Sequence, residues 1–303
     1  MTSPPPEQSR SPTCILNGHS VHIEEAMAHI ARISHELGAH VDVIVTRKGD
    51  DIAALAARAA SENRNPVVAG GGDGTVSAAA GALAGGAIPL GVLPMGTLNH
   101  FAKDVGIPHT LEAAVRNIFT GQITHVDVGE VNGRVFVNNS GIGFYPRFVR
   151  QREILERQGR IKRVAFVLTV RSLVRRYLHL RIKMHLSQAE ALEQVTPFLF
   201  VGNNRYQTSG LKAGTRTRLD TGRLWVCTAP RAQRLGLAGA VLRAFGRRDT
   251  DDALDAFETG EFSVQPETAQ VDVSTDGEVN VMTAPLHFGI RPRALPVVVP
   301  VAK

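Results

Sequence analysis

Three consecutive glycines followed by an aspartate are the residues of this chain whose types and spacing point most clearly to chemistry. Gly70 to Thr75 has the sequence GGGDGT, between the apolar run Pro66 to Ala69 and a small-residue helix predicted over Val76 to Ala84. Glycines at a strand end let backbone N–H groups approach an anion, and the following helix offers its positive N-terminal end. Asp73 would repel phosphate unless Mg²⁺ or a proton lay between them. The segment therefore indicates phosphoryl transfer rather than simple phosphate binding.

The common nucleotide signatures do not describe this turn. The chain has no G-x-x-x-x-G-K-[ST] segment, which would supply a P-loop lysine, and the glycine spacing around Asp73 differs from G-x-G-x-x-G. A purely structural turn with a helix-capping aspartate is the alternative. Three glycines and an aspartate directly after an apolar strand favour the functional interpretation.

A second glycine turn points to a family. Pro94 to Ala102, with the sequence PMGTLNHFA, follows an apolar strand predicted over Ile88 to Leu93 and opens another helix. GGDGT followed one strand later by P-x-G-T-x-N-x-F-A resembles the diacylglycerol kinase catalytic domain of soluble bacterial lipid kinases and of eukaryotic diacylglycerol, ceramide and sphingosine kinases. The resemblance extends through Asp127 to Gly129, Phe136 to Phe144 and Thr275 to Glu278, and so covers nearly the whole chain.

This resemblance implies an ATP-dependent lipid kinase that uses Mg²⁺ and phosphorylates a hydroxyl of diacylglycerol or a related lipid. Asp73 would be directed at the metal, and Asn99 and His100 would face the substrate cleft. The residues that match the family's nucleotide-binding positions are Asn17, Thr46, Gly71, Gly72, Asp73, Gly74, Thr75, Gly96 and Thr97. The family's first nucleotide turn has the pattern N-P-x-S-G. In this chain it is altered to Asn17-Gly18-His19-Ser20.

The turn Asp276-Gly277-Glu278 resembles the family's D-G-E turn and contains the candidate proton acceptor. Phosphoryl transfer to an alcohol needs a carboxylate that accepts the hydroxyl proton. Glu278 is the first choice for this base, and Asp276 is the alternative or the orienting partner of Glu278. The sequence does not separate them, and a solvated surface hairpin is the structural alternative.

Two positions depart from the family pattern. His100 stands where diacylglycerol kinases usually have aspartate, and an imidazole does not replace a carboxylate as a magnesium ligand. Thr221 replaces an acid in the Asp-Asp-Gly turn near which bacterial members hold a structural Mg²⁺. The departure at His100 leaves the kinase chemistry in place but does not identify the lipid substrate. The departure at Thr221 predicts that the structural metal is lost.

An α/β scaffold is predicted to position the glycine turns. The predicted strands are Cys14 to Leu16, Val41 to Val45, Pro66 to Ala69 and Ile88 to Leu93, and the predicted helices between them are Val21 to Leu37 and Asp50 to Glu62. Such alternation builds a parallel sheet whose ligands lie beyond the carboxyl ends of the strands. Both glycine turns are expected at that edge.

After about Gln122 the pattern changes to strands and turns. A hairpin is predicted around Asn132-Gly133, and further strands are predicted over Leu180 to Leu186, Phe198 to Gly202, Leu224 to Ala229, Glu261 to Val264 and Val271 to Ser274. In the family this domain is an antiparallel β-sandwich. The predicted organisation is a disordered lead over residues 1–12, a nucleotide-binding domain over 13–125, a lipid-substrate domain over 126–290 and a tail over 291–303 that returns to the first domain.

The composition fits a soluble cytoplasmic enzyme. The chain has 303 residues, 43% of them hydrophobic and 20% charged, and its longest apolar runs are too short to span a bilayer. Neither a signal peptide nor a disulfide framework is indicated. Cys14 and Cys227 lie in apolar strand-like runs and are expected to be buried thiols.

One segment is strongly basic. Arg147 to Lys183 contains twelve arginines and lysines against two glutamates, a net +10 in a chain of +6. Apolar residues recur among these cations at helical spacing, which predicts an interfacial helix that places Arg171, Arg175 and Arg176 on the anionic inner leaflet of the membrane. The alternative is a core-packed stripe with a solvated rim. Nucleic acid is not the expected partner, because no recognition motif accompanies the charge.

Two other functions remain open at this point. NAD kinases share the GGDGT turn, although they lack the G-T-x-N-x-F-A motif. A lipid-binding regulator that kept the fold and lost activity would explain His100 and Thr221 but not the intact Asp73 and Glu278. The oligomeric state, including a homodimer, is not determined by the sequence.

Overall fold

The structure is a computed structural model that describes residues 11–143, 180–186, 191–207, 214–228 and 255–301. The chain divides into two compact units. The first contains Met1–Val126 and Ala294–Lys303, and the second contains Asp127–Arg293. The sequence predicted the corresponding divisions after residues 125 and 290.

The first unit alternates strands and helices. Its elements are β1 (Thr13–Asn17), α1 (Ile23–Glu36), β2 (Asp42–Thr46), α2 (Ile52–Ser61), β3 (Val67–Gly71), α3 (Asp73–Leu83), β4 (Leu90–Pro94), α4 (His100–Asp104) and α5 (Leu111–Thr120). The strands form a parallel sheet in the order β2-β1-β3-β4. The last strand of the chain, which runs Leu286–Val299, joins this sheet beside β4 with Val297 opposite Leu90.

Burial explains why these residues form this sheet. Nearly every residue of β1, β3 and β4 is buried, as expected for parallel strands covered on both faces. The edge strand β2 instead alternates, with Val43 and Val45 exposed. Asp51 caps α2, because its side chain accepts the N–H of Ala54 at 3.1 Å. The predicted α/β domain with a parallel sheet is confirmed.

The second unit consists of antiparallel strands. They are β5 (Gln122–Val131), β6 (Arg134–Phe136), β7 (Asn139–Gly143), β8 (Leu180–Leu186), β9 (Leu192–Thr196), β10 (Phe198–Asn203), β11 (Leu224–Thr228), β12 (Asp255–Thr259), β13 (Glu261–Pro266), β14 (Gln270–Thr275), β15 (Glu278–Thr283) and the first part of β16 (Leu286–Val299). One sheet has the order β12-β11-β10-β7-β14-β15, and β16, β13, β8 and β9 pair side by side in the other. The predicted hairpin turn occupies Asn132 and Gly133, both with positive φ.

Apolar residues from both of these sheets form one core. Ile142 and Leu199 come from one sheet, and Met184, Phe262 and Phe288 come from the other. This arrangement is an antiparallel β-sandwich, which confirms the predicted fold class of the second domain.

Cys14 and Cys227 are both free and buried, as predicted. Burial raises the pKa of the Cys14 thiol to about 12 and also raises the pKa of Cys227. No helix within the described ranges is long and apolar enough to cross a membrane. The predicted membrane contacts Arg171, Arg175 and Arg176 lie outside the described residues.

Candidate functional site

Turns that follow three neighbouring strands of the first unit line one cavity of about 490 Å³. Its lining residues are Asn17, His19, Ser20, Val21, His22, Gly72, Met95, Gly96 and Thr97. Four of them, Asn17, Gly72, Gly96 and Thr97, were predicted to bind nucleotide. The volume falls in the range of roughly 300–1,000 Å³ that small-molecule sites occupy.

The two glycine turns pack against each other without side chains. A Cβ atom on Gly96 would lie 2.5 Å from the Cα of Gly72 and 2.9 Å from the Oδ1 of Asn99, so only glycine fits at position 96. The N–H of Met95 donates to the carbonyl of Gly71 at 2.9 Å. A Cβ atom on Gly71 would collide with the side chain of Thr75. Gly96 is therefore required for the close approach of the two turns, and Gly71 leaves room for the side chain of Thr75.

Asn99 closes the second glycine turn. It adopts a left-handed conformation with φ 51°, its Oδ1 accepts the N–H of Gly96 at 2.9 Å, and its Nδ2 donates to the carbonyl of Gly96 at 2.8 Å. The side-chain amide of Asn99 thus shapes the turn from within. His100 begins α4 and is exposed, and its ring makes no hydrogen bond with the described residues. The orientation of Asn99 and His100 toward a lipid substrate stays a prediction.

The altered first turn is tied to the other two. Asn17 accepts the N–H of His19 on Oδ1 at 3.0 Å, and its Nδ2 lies 3.4 Å from the hydroxyl of Thr75. The hydroxyl of Ser20 donates to the carbonyl of Met95 at 2.9 Å. The turn lacks the proline and the glycine of the family's N-P-x-S-G pattern, but its residues still line the cavity.

The other predicted nucleotide residues lie beside the cavity rather than on its lining. Thr46 is buried and lies opposite Asn17 in the parallel pairing of β1 and β2. Thr75 is also buried, with its hydroxyl near Asn17. Gly71 ends β3, and Gly74 lies in the first turn of α3. Contacts of these residues with a nucleotide stay predictions.

Asp73 is the first residue of α3, and Gly72 is the N-cap of that helix. The half-buried carboxylate of Asp73 makes no hydrogen bond or ion pair with any residue that the structure describes. The capping alternative for this aspartate is therefore wrong, and its oxygens are available to a cation. Mg²⁺ commonly takes one or two carboxylates together with phosphates and water, and Asp73 beside the cavity fits this pattern.

The D-G-E turn of the second unit joins β14 to β15, with Asp276 at φ 49° and Gly277 at φ 89°. The carboxylate of Asp276 accepts three backbone N–H groups, from Val137 and Asn138 at 2.8 Å and from Asn139 at 3.0 Å. Both of its oxygens therefore hold the segment that leads into β7.

Glu278 is exposed, and its Oε2 lies 2.6 Å from the Nη2 of Arg134. The Nε of Arg134 donates to the hydroxyl of Thr275 at 2.9 Å, which orients the guanidinium. Glu278 thus faces solvent in an oriented ion pair, whereas the oxygens of Asp276 are engaged by the backbone. This difference favours Glu278 over Asp276 as a proton acceptor, although the assignment stays a prediction.

A buried arginine that the sequence did not predict supports the same segment. Arg216 donates from Nη1 to the carbonyls of Val137 at 2.6 Å and Asn203 at 2.9 Å, and from Nη2 to the Oδ1 of Asn138 at 2.8 Å. Arg216 and Asp276 therefore hold residues 137–139 from different parts of the chain. The partners lie many positions apart, so no local sequence signal identifies them.

The side chains around Thr221 bond to neighbouring protein groups. The Oδ1 of Asn204 accepts both the N–H and the hydroxyl of Thr221, and Asp220 pairs with Arg218 at 3.0 Å. The carboxylate of Asp127 accepts the N–H groups of Gly222 at 2.7 Å and Arg293 at 2.8 Å. The predicted loss of a structural metal at this turn stays a prediction.

The first unit also matches a known family in sequence. Residues 12–131 match the family model described as the diacylglycerol kinase catalytic domain. A Klebsiella pneumoniae protein described as a probable lipid kinase YegS-like is 34% identical over 140 residues, 45% of this chain and 47% of that protein. A Chromohalobacter salexigens protein of the same description is 37% identical over 147 residues, 47% of each chain. The chain spans about half the length of the curated relatives it matches.

Similarity of fold extends further. The crystal structure of a diacylglycerol kinase from Bacillus anthracis covers 96% of this chain and 97% of its own, with a TM-score of 0.70 at 17% identity. This likeness agrees with the α/β and antiparallel units described above. The predicted resemblance to the diacylglycerol kinase catalytic domain is confirmed.

Proposed function

We propose that this protein is an ATP-dependent lipid kinase that transfers the γ-phosphoryl group to a hydroxyl of diacylglycerol or a related lipid. The single observation that carries the proposal is the cavity where three strand-end turns meet, beside an aspartate whose carboxylate is unengaged by the described residues. The family match of residues 12–131 supports the same chemistry.

The first unit would bind the nucleotide. Backbone N–H groups of the glycine turn and the N-terminal end of α3 attract phosphate oxygens. Asp73 would hold Mg²⁺, which neutralises charge on the transferring group. Gly72 has no side chain and position 96 has no room for one, so the phosphates can approach the backbone of these turns itself.

The second unit would supply the proton acceptor. As the lipid oxygen bonds to the γ-phosphorus and the bond from that phosphorus to the ADP oxygen breaks, Glu278 takes the hydroxyl proton on a carboxylate oxygen. Arg134 orients Glu278 through its ion pair at 2.6 Å. Asp276 acts as a positioning residue, because its three hydrogen bonds fix residues 137–139.

The substrate would be reached at the inner leaflet of the membrane from the cytoplasm. The +10 segment from Arg147 to Lys183 would attract anionic lipid, with about 1 kcal/mol from each cation near the surface. Changing Arg171, Arg175 and Arg176 to glutamate should then reduce sedimentation with phosphatidylserine vesicles at low salt. Unchanged sedimentation would remove the membrane from the proposal.

The experiment that tests the proposed reaction uses γ-labelled ATP, Mg²⁺ and a panel of diacylglycerol, ceramide, sphingosine, monoacylglycerol and NAD. We expect a labelled lipid product, and none from the Asp73→Asn variant. Labelled NAD phosphate would instead establish a NAD kinase. Nucleotide binding without any labelled product would identify a regulator that kept the fold and lost activity.

A further inference from the structure

The cavity of the first unit contains few groups that could balance the charge of a nucleotide. Among the described residues that line it there is no lysine, arginine, aspartate or glutamate. Of the lining residues that the structure describes, His19 and His22 have the side chains that can become cationic. The chain also lacks the P-loop lysine that serves phosphates in other nucleotide-binding proteins.

The two histidines differ in their partners. His22 is engaged, because its Nδ1 lies 3.2 Å from the Oε2 of Glu25, whose other oxygen lies 3.9 Å from the Nε2 of His29. His19 is bound only through its backbone, whose N–H donates to Asn17 at 3.0 Å. The exposed ring of His19 makes no hydrogen bond or ion pair with any described residue. Only His19 therefore has an imidazole free for a ligand.

Two helices begin at this cavity. His22 is the N-cap of α1, but its side chain makes no capping hydrogen bond, and the N-cap of α3 is Gly72, which has no side chain. Both helices thus leave N–H groups of their first turns without a side-chain acceptor, which favours an anion at the cavity. The cavity, the helix ends and the free imidazole point to the same kind of ligand.

We propose that His19 binds the phosphate chain of the nucleotide and supplies the positive charge that this cavity otherwise lacks. The inference rests on the nucleotide site of the proposed function and assigns a role to His19, which occupies the unspecified third position of the family's N-P-x-S-G turn. Histidine side chains gain charge as the pH falls below neutrality, so binding of a polyphosphate should tighten in that direction.

The charged groups around the turn do not engage His19. Glu24 and Glu25 occupy the first turn of α1, and Asp73 occupies the first turn of α3. Arg47 and Lys48 follow β2, whose last carbonyl faces Gly18. Glu25 is directed at His22 and His29, so the charge on His19 remains available to the ligand.

The test is calorimetric binding of Mg-ATP and of adenosine to the full chain between pH 6 and pH 8 at fixed ionic strength. At pH 6, His19→Gln should weaken Mg-ATP binding about fivefold, the factor expected for one charge near phosphate in water. The difference from wild type should shrink at pH 8. His19→Lys should retain tight binding at both pH values, because its charge is permanent. Adenosine should bind all three proteins alike.

Two further variants act as controls. His22→Gln should have a smaller effect, because Glu25 already balances that imidazole. His40→Gln should bind as wild type does, since His40 pairs with Asp42 and does not line the cavity. Melting curves of each variant confirm that the fold is retained.

The possible failures are distinguishable. Absence of Mg-ATP binding by the wild-type protein would overturn the proposed function itself. Wild-type binding that His19→Gln leaves unchanged in strength and pH dependence would overturn only the inference about His19. Equal weakening of adenosine, or a larger loss from His22→Gln, would also overturn the assignment of His19 to phosphate.

Discussion

The molecule contains two glycine-aspartate turns, one in each unit, that use the same residue types differently. Asp73 begins a helix, and its carboxylate makes no contact with the described residues. Asp276 sits in a β-hairpin, and its carboxylate accepts three backbone N–H groups. The number of protein donors around a carboxylate thus separates a group available for chemistry from one that supports structure.

The largest expected effect tests the hairpin side of this comparison. Glu278→Gln should reduce turnover by about 10²- to 10⁴-fold, the usual contribution of a general base, while the protein stays folded. Turnover measured with labelled ATP and the preferred lipid checks this. Wild-type turnover in a folded Glu278→Gln protein would move the role of base to Asp276 or to another residue.

Asp73→Asn should lower turnover by about 10²-fold or more, because a neutral amide binds Mg²⁺ poorly and phosphoryl transfer depends on the metal. Its free energy of unfolding should fall by no more than about 1 kcal/mol, the usual interaction of a first-turn carboxylate with the helix dipole, since the carboxylate has no other partner among the described residues to lose. Turnover and urea denaturation, measured on the same preparation, test the expected loss of activity and the expected retention of stability. A clear loss of stability would show that Asp73 is structural.

Asp276→Ala should lower the free energy of unfolding much more than Asp73→Ala does. Removing the carboxylate leaves three backbone N–H groups without their acceptor, and each unsatisfied group costs about 1–3 kcal/mol when it is shielded from water. We expect a decrease of about 2 kcal/mol or more in the free energy of unfolding by urea. Equal stability of the two alanine variants would break the comparison.

Gly96→Ala should destabilise the first unit by about 1–3 kcal/mol and weaken Mg-ATP binding, because the new Cβ would lie 2.5 Å from the Cα of Gly72. Gly260→Ala is the matched control, since a Cβ there meets no atom within 4 Å. Thermal melting and calorimetry measure the two effects. Equal melting temperatures for the two variants would mean that the glycine turns are not tightly packed.

The smallest expected effect concerns carboxylates that are exposed and paired with arginine. Hydrogen bonds from Arg32 lower the pKa of Glu112 and of Glu36. Because the folded pKa values are lowered, the stabilisation is present above the unfolded pKa and is lost as the pH falls through the folded value. Glu112→Gln should slightly lower the melting temperature at pH 7, and the difference from wild type should vanish in strong acid and shrink in high salt. A difference independent of salt would indicate another cause.

Local patterns were sufficient to predict most of the first unit. Apolar runs between glycine, proline and aspartate gave its strands, and the alanine-rich segment from Asp50 to Glu62 gave α2, which Asp51 caps. The glycine motifs located the turns, because close backbone approach depends on residue type alone. Helix α5 of the first unit and strands β7, β9, β12 and β15 of the second unit were not predicted as separate elements.

Long-range pairing was not predictable. The contacts of Asp276 with residues 137–139, of Arg134 with Glu278 and of Arg216 with Asn203 depend on strand register, which the sequence does not display. Strand β16 also extends from Leu286, whereas the sequence indicated only a tail over 291–303 that returns to the first domain. His19 stands at the unspecified position of the first nucleotide turn, so no motif residue pointed to it, and its place on the cavity wall required the fold.

The contact between Gly72 and Gly96 limits how this protein can evolve. A clash introduced by a larger residue is commonly relieved when its neighbour becomes smaller. Here the neighbour of position 96 is already glycine, so no second substitution at position 72 makes room. Selection for activity from a library randomised at both positions should therefore recover glycine at position 96 regardless of the residue at position 72.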